Sequence, residues 1–237
     1  MEKLKSLTIF FPFLNDEGTV ERQISYAYKI GKRITKNLEV IALHGGPSTD
    51  NTMGRILQMK EIYPDLIVID KFRNTEGYAV IKHGLFSASK DWIFYTDGDA
   101  QYRLEKDLPK LIKKQKETGV DVVNGYKKRR KDSFWRIFLG NIYAHFSKTL
   151  LQLPIRDVDC DFRLIRTEYI KKIQLESRNA SILPELIIKL QLIGARFAEI
   201  PVSHYTRVWG KSNYTIASLA KEKIIGDFRL YFRMRKY

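Results

Sequence analysis

The stretch Trp92-Ile-Phe-Tyr-Thr-Asp97-Gly98-Asp99-Ala-Gln101 sets two carboxylates one glycine apart, with an amide two residues further on. A strand-length apolar run leads directly into them, so the carboxylates stand at a strand end. Extended geometry puts alternate residues on one side, which would let Asp97, Asp99 and Gln101 converge on one point. Convergent oxygen ligands suit Mg2+ or Mn2+, which bind through one or two carboxylates while substrate phosphates fill other positions. A cation held there would neutralise a departing diphosphate. The same letters also spell an Asp-Gly hairpin turn with solvated carboxylates. Their place at a strand end favours the metal.

Other residues could do chemistry. A hydroxyl nucleophile would require a carboxylate base, for which Asp157 and Glu185 are the candidates; Asp157 could equally cap a turn, and Glu185 start a helix after Pro184. The basic run Lys127-Lys128-Arg129-Arg130-Lys131 follows a strand, and the planar fork of arginine matches phosphate oxygens. It could also be a solvated loop. A lone histidine at a strand end, His44, is either a ligand to a nucleotide or a local hydrogen-bonding residue.

The elements that must position these residues alternate along the first half. Ser6–Phe11, Leu38–Leu43, Leu66–Asp70 and Trp92–Thr96 have strand length and composition, and Thr19–Ile34, Asp50–Tyr63 and Glu76–Ser89 have helical spacing between them. Such alternation gives right-handed βαβ units, a mostly parallel sheet flanked by helices, and a ligand crevice at the strands' carboxyl ends. Further on come a helix Leu104–Thr118, a strand Asp121–Asn124, a helix around Phe134–Leu151, a polar Asp157–Arg163 leading into an apolar stretch, a helix Leu183–Ile193 closed by Gly194, and a strand Arg196–Val202. Thr215–Tyr237 reads as one amphipathic helix with Ile216, Ala220, Ile224, Phe228 and Tyr231 on one face and Arg229, Arg233 and Lys236 on another. The expected organisation is one α/β domain over residues 1–212 and a basic amphipathic helix over 213–237.

The net charge of +15, from 42 Lys and Arg against 27 Asp and Glu, requires a polyanionic partner: nucleic acid, anionic lipid or a phosphorylated substrate. No nucleic-acid recognition motif accompanies it. A single cysteine, Cys160, excludes an intramolecular disulfide framework, and no leader or apolar run of about 20 residues is expected. These features point to a peripheral protein on the cytoplasmic, reducing side of a membrane.

The order of Phe11-Pro12-Phe13-Leu14-Asn15-Asp16-Glu17, Pro47 to Thr52, Asn74-Thr75-Glu76-Gly77 and Asp97-Gly98-Asp99-Ala100-Gln101 resembles glycosyltransferase family 2 with its GT-A fold. The likeness continues through Asp157 to Arg163, Pro184-Glu185-Leu186, Glu199 to Val202 and Arg207-Val-Trp-Gly210-Lys211-Ser212, and is greatest to the polyprenyl-phosphate sugar transferases. It implies an inverting transfer from a GDP- or UDP-sugar to a polyprenyl phosphate, with a hydroxyl acceptor or a non-catalytic sugar-nucleotide-binding role as alternatives. It also implies that Pro12, Leu14 and Asp16 border the donor base and ribose, that His44 and Asp50 belong to the second nucleotide loop, that Asp97, Arg207 and Lys211 meet the diphosphate, and that Arg129, Arg130 and Arg136 receive the acceptor phosphate. Two departures bear on the base: His44 and Gly45 replace the family's aspartates, and Leu14 replaces an aromatic.

Overall fold

The structure, a computed structural model, describes residues 3–72, 74, 77–128, 142, 145–210 and 216–234. Strand β1 (Leu7–Phe13) is apolar on both sides because both faces of its sheet are covered. Its odd residues, Leu7, Ile9, Phe11 and Phe13, enter one core layer, and Phe10 enters the other. The first layer is completed by α1 (Glu17–Ile34), which buries Val20, Ile24, Ala27 and Ile34 along one stripe, and by α2 (Thr52–Ile62) and α4 (Leu104–Thr118). The second is covered by α3 (Val80–Ser87), a short α5 (Thr167–Ile170), α6 (Ile182–Leu192) and the last helix, α7 (Ile216–Met234).

The remaining strands are β2 (Leu38–His44), β3 (Ile67–Ile69), β4 (Trp92–Thr96), β5 (Val122–Lys127), β6 (Phe162–Arg166) and β7 (Phe197–Val202). They form one sheet in the order β3-β2-β1-β4-β6-β5-β7. Pairings β1 with β2, β1 with β4, β2 with β3 and β5 with β7 are parallel. The chain leaves β1 towards β2 and β3 and then returns to the other side of β1 with β4, so the sheet's order reverses between β1 and β4. A crevice opens at such a switch point, beyond the strands' carboxyl ends.

Three elements differ from the sequence expectation. The apolar stretch after Asp157–Arg163 is a strand, β6, and it runs antiparallel to both neighbours, with Tyr95 opposite Arg163 and Thr96 opposite Phe162. That register brings the Asp157 to Asp161 segment beside the end of β4. The helix expected over Glu76–Ser89 becomes a single 3-10 turn, Gly77–Ala79, before α3, because Gly77 takes φ 54° and breaks the regular rise. Of the helix expected around Phe134–Leu151, the described residues 142 and 145–151 are helical.

The faces of α7 are also distributed differently. Lys223, Asp227 and Leu230 turn inwards and are buried, and Lys223 pairs with Asp159 at 2.6 Å. Arg233, expected on the outer basic face, instead donates to Glu176 Oε2 at 3.0 Å and Ser177 Oγ at 3.2 Å. Acids held against the protein body need cationic partners, and these two side chains supply them. Ile224, Ile225, Phe228 and Phe232 are left exposed, with Arg229 among them. Among the described residues no helix is long and apolar enough to cross a membrane.

Candidate active site

At the switch point lies a cleft of about 160 Å³, walled by Pro12 at the end of β1, Leu14 and Asp16 just after it, Gly45 after β2, Tyr78 and Ile81, and Asp97, Gly98, Asp99 and Arg207 at its floor. Backbone contacts fix that floor. Gly98 N–H donates to the Pro12 carbonyl at 3.2 Å, and Thr19 Oγ1 donates to the Gly98 carbonyl at 2.7 Å. Gln23 Nε2 donates to the Asp97 carbonyl at 3.0 Å. A Cβ at position 98 would stand 2.6 Å from the Pro12 oxygen and 2.4 Å from a Phe13 ring carbon, so only glycine lets β1 and the loop after β4 approach this closely.

The extended path expected for residues 97–101 is not kept. Ala100 has φ 58°, and the chain turns there. Gln101 N–H donates to Asp99 Oδ1 at 3.0 Å, while its side-chain Nε2 donates to the Tyr205 carbonyl at 2.9 Å and its carbonyl accepts from Tyr205 N–H at 2.8 Å. Gln101 therefore holds the segment after β7 through its amide nitrogen and its backbone. That segment carries Arg207, whose guanidinium donates to Asp99 Oδ2 at 2.7 Å.

Negative charge is concentrated here. Asp97 is pushed well above the usual carboxylate range by burial, then by the charges of Asp161 and Asp99, with Lys127 and Arg207 opposing. Asp99 is raised by burial, and Arg207 pulls the other way. Burial pushes Asp161 up to about 7, against the guanidinium of Arg163. Among the described residues no three His, Cys, Asp or Glu side chains are grouped so as to hold a metal by themselves. Two cleft-lining carboxylates of raised pKa, with hard oxygen donors, nevertheless fit a divalent cation whose other ligands come from a phosphorylated substrate. Such an ion would relieve their repulsion.

The wall at β1 is strained and heavily bonded. Asn15 has φ 58°; its N–H donates to Ser48 Oγ at 3.2 Å, and its Oδ1 accepts from Thr49 N–H at 2.7 Å. Asp16 Oδ2 accepts from Leu14 N–H at 3.0 Å, while the buried Oδ1 has no partner among the described residues, and burial pushes this carboxyl up to about 7. Of the two readings of His44, the structure shows the local hydrogen-bonding one: its ring nitrogens meet Asp70 Oδ1 at 2.8 Å and Ser48 Oγ at 2.9 Å. Asp50 likewise serves the loops: Oδ1 accepts from Thr52 Oγ1 at 2.5 Å, and Oδ2 from Glu17 N–H at 3.1 Å and Trp209 Nε1 at 3.2 Å.

Of the two candidate bases, Asp157 is buried beside β5, where Lys127 N–H donates to its Oδ2 at 3.2 Å. Glu185 is fully buried on α6, apart from the cleft lining, and accepts from Glu176 N–H at 3.1 Å, Ser177 N–H at 2.8 Å and Lys189 at 2.8 Å. Burial alone would raise its pKa, but these partners hold it below the usual value. A carboxylate so saturated is an internal anchor and not a base. Lys211, Arg129, Arg130 and Arg136 lie outside the described residues.

Sequence reasoning missed Arg163. It is fully buried on β6 and donates through Nε to Asn124 Oδ1 at 2.6 Å, through one terminal nitrogen to Tyr95 Oη at 2.7 Å and through the other to the Val158 carbonyl at 3.1 Å. It is an internal cation behind the acidic floor. The apolar Phe162, Leu164 and Ile165 of β6 were the available signal, masked by two arginines, Arg163 and Arg166, among its five residues.

A switch-point cleft with an acidic floor, on a sheet of this order, defines a GT-A type α/β fold. The chain is similar to a mannosyltransferase from Pyrobaculum calidifontis solved with GDP-Man and Mn2+ (TM-score 0.66, 20% identity, covering 96% of this chain and 64% of that one). It is also similar to glucosyl-3-phosphoglycerate synthase from Mycobacterium tuberculosis solved with Mn2+, uridine-diphosphate and phosphoglyceric acid (TM-score 0.65, 15% identity, covering 94% and 77%). The family model for glycosyl transferase family 2 matches residues 8–174, and the chain belongs to that family. Among curated proteins it is 25% identical over 216 residues to the undecaprenyl-phosphate 4-deoxy-4-formamido-L-arabinose transferase of Salmonella choleraesuis (strain SC-B67). The match covers 91% of this chain and 64% of that relative's length.

Proposed function

We propose that the protein transfers a sugar, with inversion, from a UDP- or GDP-sugar to a polyprenyl phosphate at a membrane surface. The observation that carries this reading is the meeting of Asp97, Asp99, Asp16 and Arg207 around one cleft at the β1/β4 switch point. Similarity to undecaprenyl-phosphate sugar transferases supports the acceptor class.

Asp97 and Asp99 are the residues that would hold Mg2+ or Mn2+, and a cation there supplies charge neutralisation for the departing diphosphate. Arg207 already bonds Asp99 and can turn to diphosphate oxygens once that carboxylate has another cationic partner. Pro12, Leu14 and Gly45 provide an apolar wall for a base, and Asp16 lines the cleft beside them. An acceptor phosphate, with a second pKa of about 6, is already ionised near neutrality and needs no strong base. Glu185, committed to Lys189, is consistent with that economy.

The exposed Ile224, Ile225, Phe228 and Phe232 on α7, with Arg229 among them, form the face proposed to rest on anionic lipid. The deciding experiment crosses radiolabelled UDP- and GDP-sugars with undecaprenyl phosphate, with and without Mn2+. Labelled lipid that forms only with the cation is the expected result. Transfer to a glycan or lipid hydroxyl, with polyprenyl phosphate inert, would overturn the acceptor assignment.

A further inference from the structure

Arg207 reaches Asp99 from a segment that is tied down on both sides. Upstream, Tyr205 exchanges two hydrogen bonds with Gln101. Downstream, the chain is held by Trp209, whose indole lies flat over Gly18 in the first turn of α1. A Cβ at position 18 would stand 2.5 Å from two atoms of that ring. The indole Nε1 donates to Asp50 Oδ2, which also takes the Glu17 N–H. The next residue, Gly210, has φ 69°, and a Cβ there would meet the Asn15 carbonyl at 2.9 Å. Trp209 thus bridges the loop after β1 and the loop before α2, which together form one wall of the cleft.

Nothing in the sequence of α1 demands a glycine at position 18. Its φ is not positive, and glycine in a helix costs stability relative to alanine. The bare Cα is explained by what lies on it. A large aromatic side chain left 43% exposed is likewise explained by its two partners, the flat glycine surface and the Asp50 carboxylate.

We propose that Trp209 is a positioning residue for donor binding: seated on Gly18 and bonded to Asp50, it fixes the reach of Arg207 into the cleft and couples both nucleotide loops to it. The proposal rests on the reading that Arg207 serves a nucleoside diphosphate. Loss of the indole leaves the segment held from its upstream side, at Gln101, Tyr102 and Arg103, so Arg207 samples positions away from the floor and nucleotide affinity falls. Chemistry in the fully loaded enzyme is little changed, because no reacting atom meets the indole.

The test is a double-mutant cycle with G18A, W209A and the double variant. UDP and GDP affinities with Mn2+ are measured by calorimetry, donor KM and kcat by transfer assay, and the rate of tryptic cleavage after Arg207 without ligand. Each single variant should weaken the nucleotide about tenfold, the loss expected for one buried contact and one charge-assisted hydrogen bond in a half-exposed setting. KM should rise while kcat at saturating donor stays within about twofold, and cleavage should accelerate. The double variant should be no worse than W209A, since the methyl group then has nothing to strike. W209F keeps a ring over Gly18 and should remain sensitive to G18A. Additive losses, or a G18A protein with parental affinity and cleavage, would overturn the proposal. Should neither nucleotide bind the parent, the donor reading fails, while the cleavage cycle still judges the seat of Trp209.

Discussion

Gly98 is where fold and site constrain each other most tightly, and Gly98→Ala measures that constraint. The new methyl group would lie 2.6 Å from the Pro12 carbonyl oxygen, 2.4 Å and 2.8 Å from two Phe13 ring carbons. Ordinary contact begins near 3.4 Å, so strand β1 and the acidic loop must part by most of an ångström or the fully buried Phe13 ring must be displaced. Overpacking of this kind costs about 1–3 kcal/mol. Stretching the 3.2 Å bond from Gly98 N–H to Pro12 adds up to about 1 kcal/mol. Position 98 is not in the positive-φ region, so alanine returns about 0.4–1 kcal/mol by restricting the unfolded chain. The net loss is about 2 kcal/mol, which for a chain of this size lowers Tm by about 4–8 °C. Urea unfolding followed by tryptophan fluorescence measures the first quantity and scanning calorimetry the second. The same shift moves Asp97 and Asp99 apart, so Mn2+ affinity should fall with stability. A variant that melts within a degree of the parent and binds Mn2+ equally well would show that the approach of β1 to the loop is not the constraint described.

Other perturbations have separable outcomes. Asp99→Asn should lower kcat by about a hundredfold or more while leaving the melting curve near that of the parent, because it removes a hard anionic ligand but keeps the side chain's shape; full activity of that variant, or of the parent in excess EDTA, would exclude the metal. Phe228→Ser with Phe232→Ser should reduce sedimentation with anionic vesicles about tenfold, whereas Arg233→Gln should instead lower the urea midpoint, since its partners are Glu176 and Ser177 on the protein body. Asp16 titrates at about 7 in the folded chain and near 3.9 when unfolded, so between those values the native state holds a proton that the unfolded state lacks. Its contribution is fully present below about pH 4 and is lost as pH rises through about 7. Asp16→Asn should therefore flatten the fall in stability measured by urea unfolding between pH 5 and pH 8, and an unchanged slope would contradict the assignment.

Much of this protein can be read along the chain, because local pattern and global position agree there. The strands around Ile9, Val40 and Phe94 are apolar on both sides, as a doubly covered parallel sheet requires, and the carboxylates of Asp97 and Asp99 follow directly from one of them. Helical spacing likewise located α1, α4 and α6 to within a residue or two. What the chain could not declare is which polar side chains would find partners among residues far away in sequence. Gln101, equivalent by spacing to a third ligand, turns at Ala100 and bonds Tyr205; His44 closes on Asp70 and Ser48; Glu185 closes on Lys189; Arg233 faces inwards. His44 and Glu185 are buried polar groups that had to be satisfied, and in all four cases the partner was chosen by packing. Arg163 shows the same limit from the other side: in sequence it is one of many cations, and only an antiparallel strand beside β4 makes it a buried charge behind the acidic floor. The sequence by itself determined the family of fold and the two carboxylates, since those depend on periodicity and neighbours in the chain. Tertiary structure decided which cations, amides and aromatics serve them, since that depends on contacts across many tens of residues.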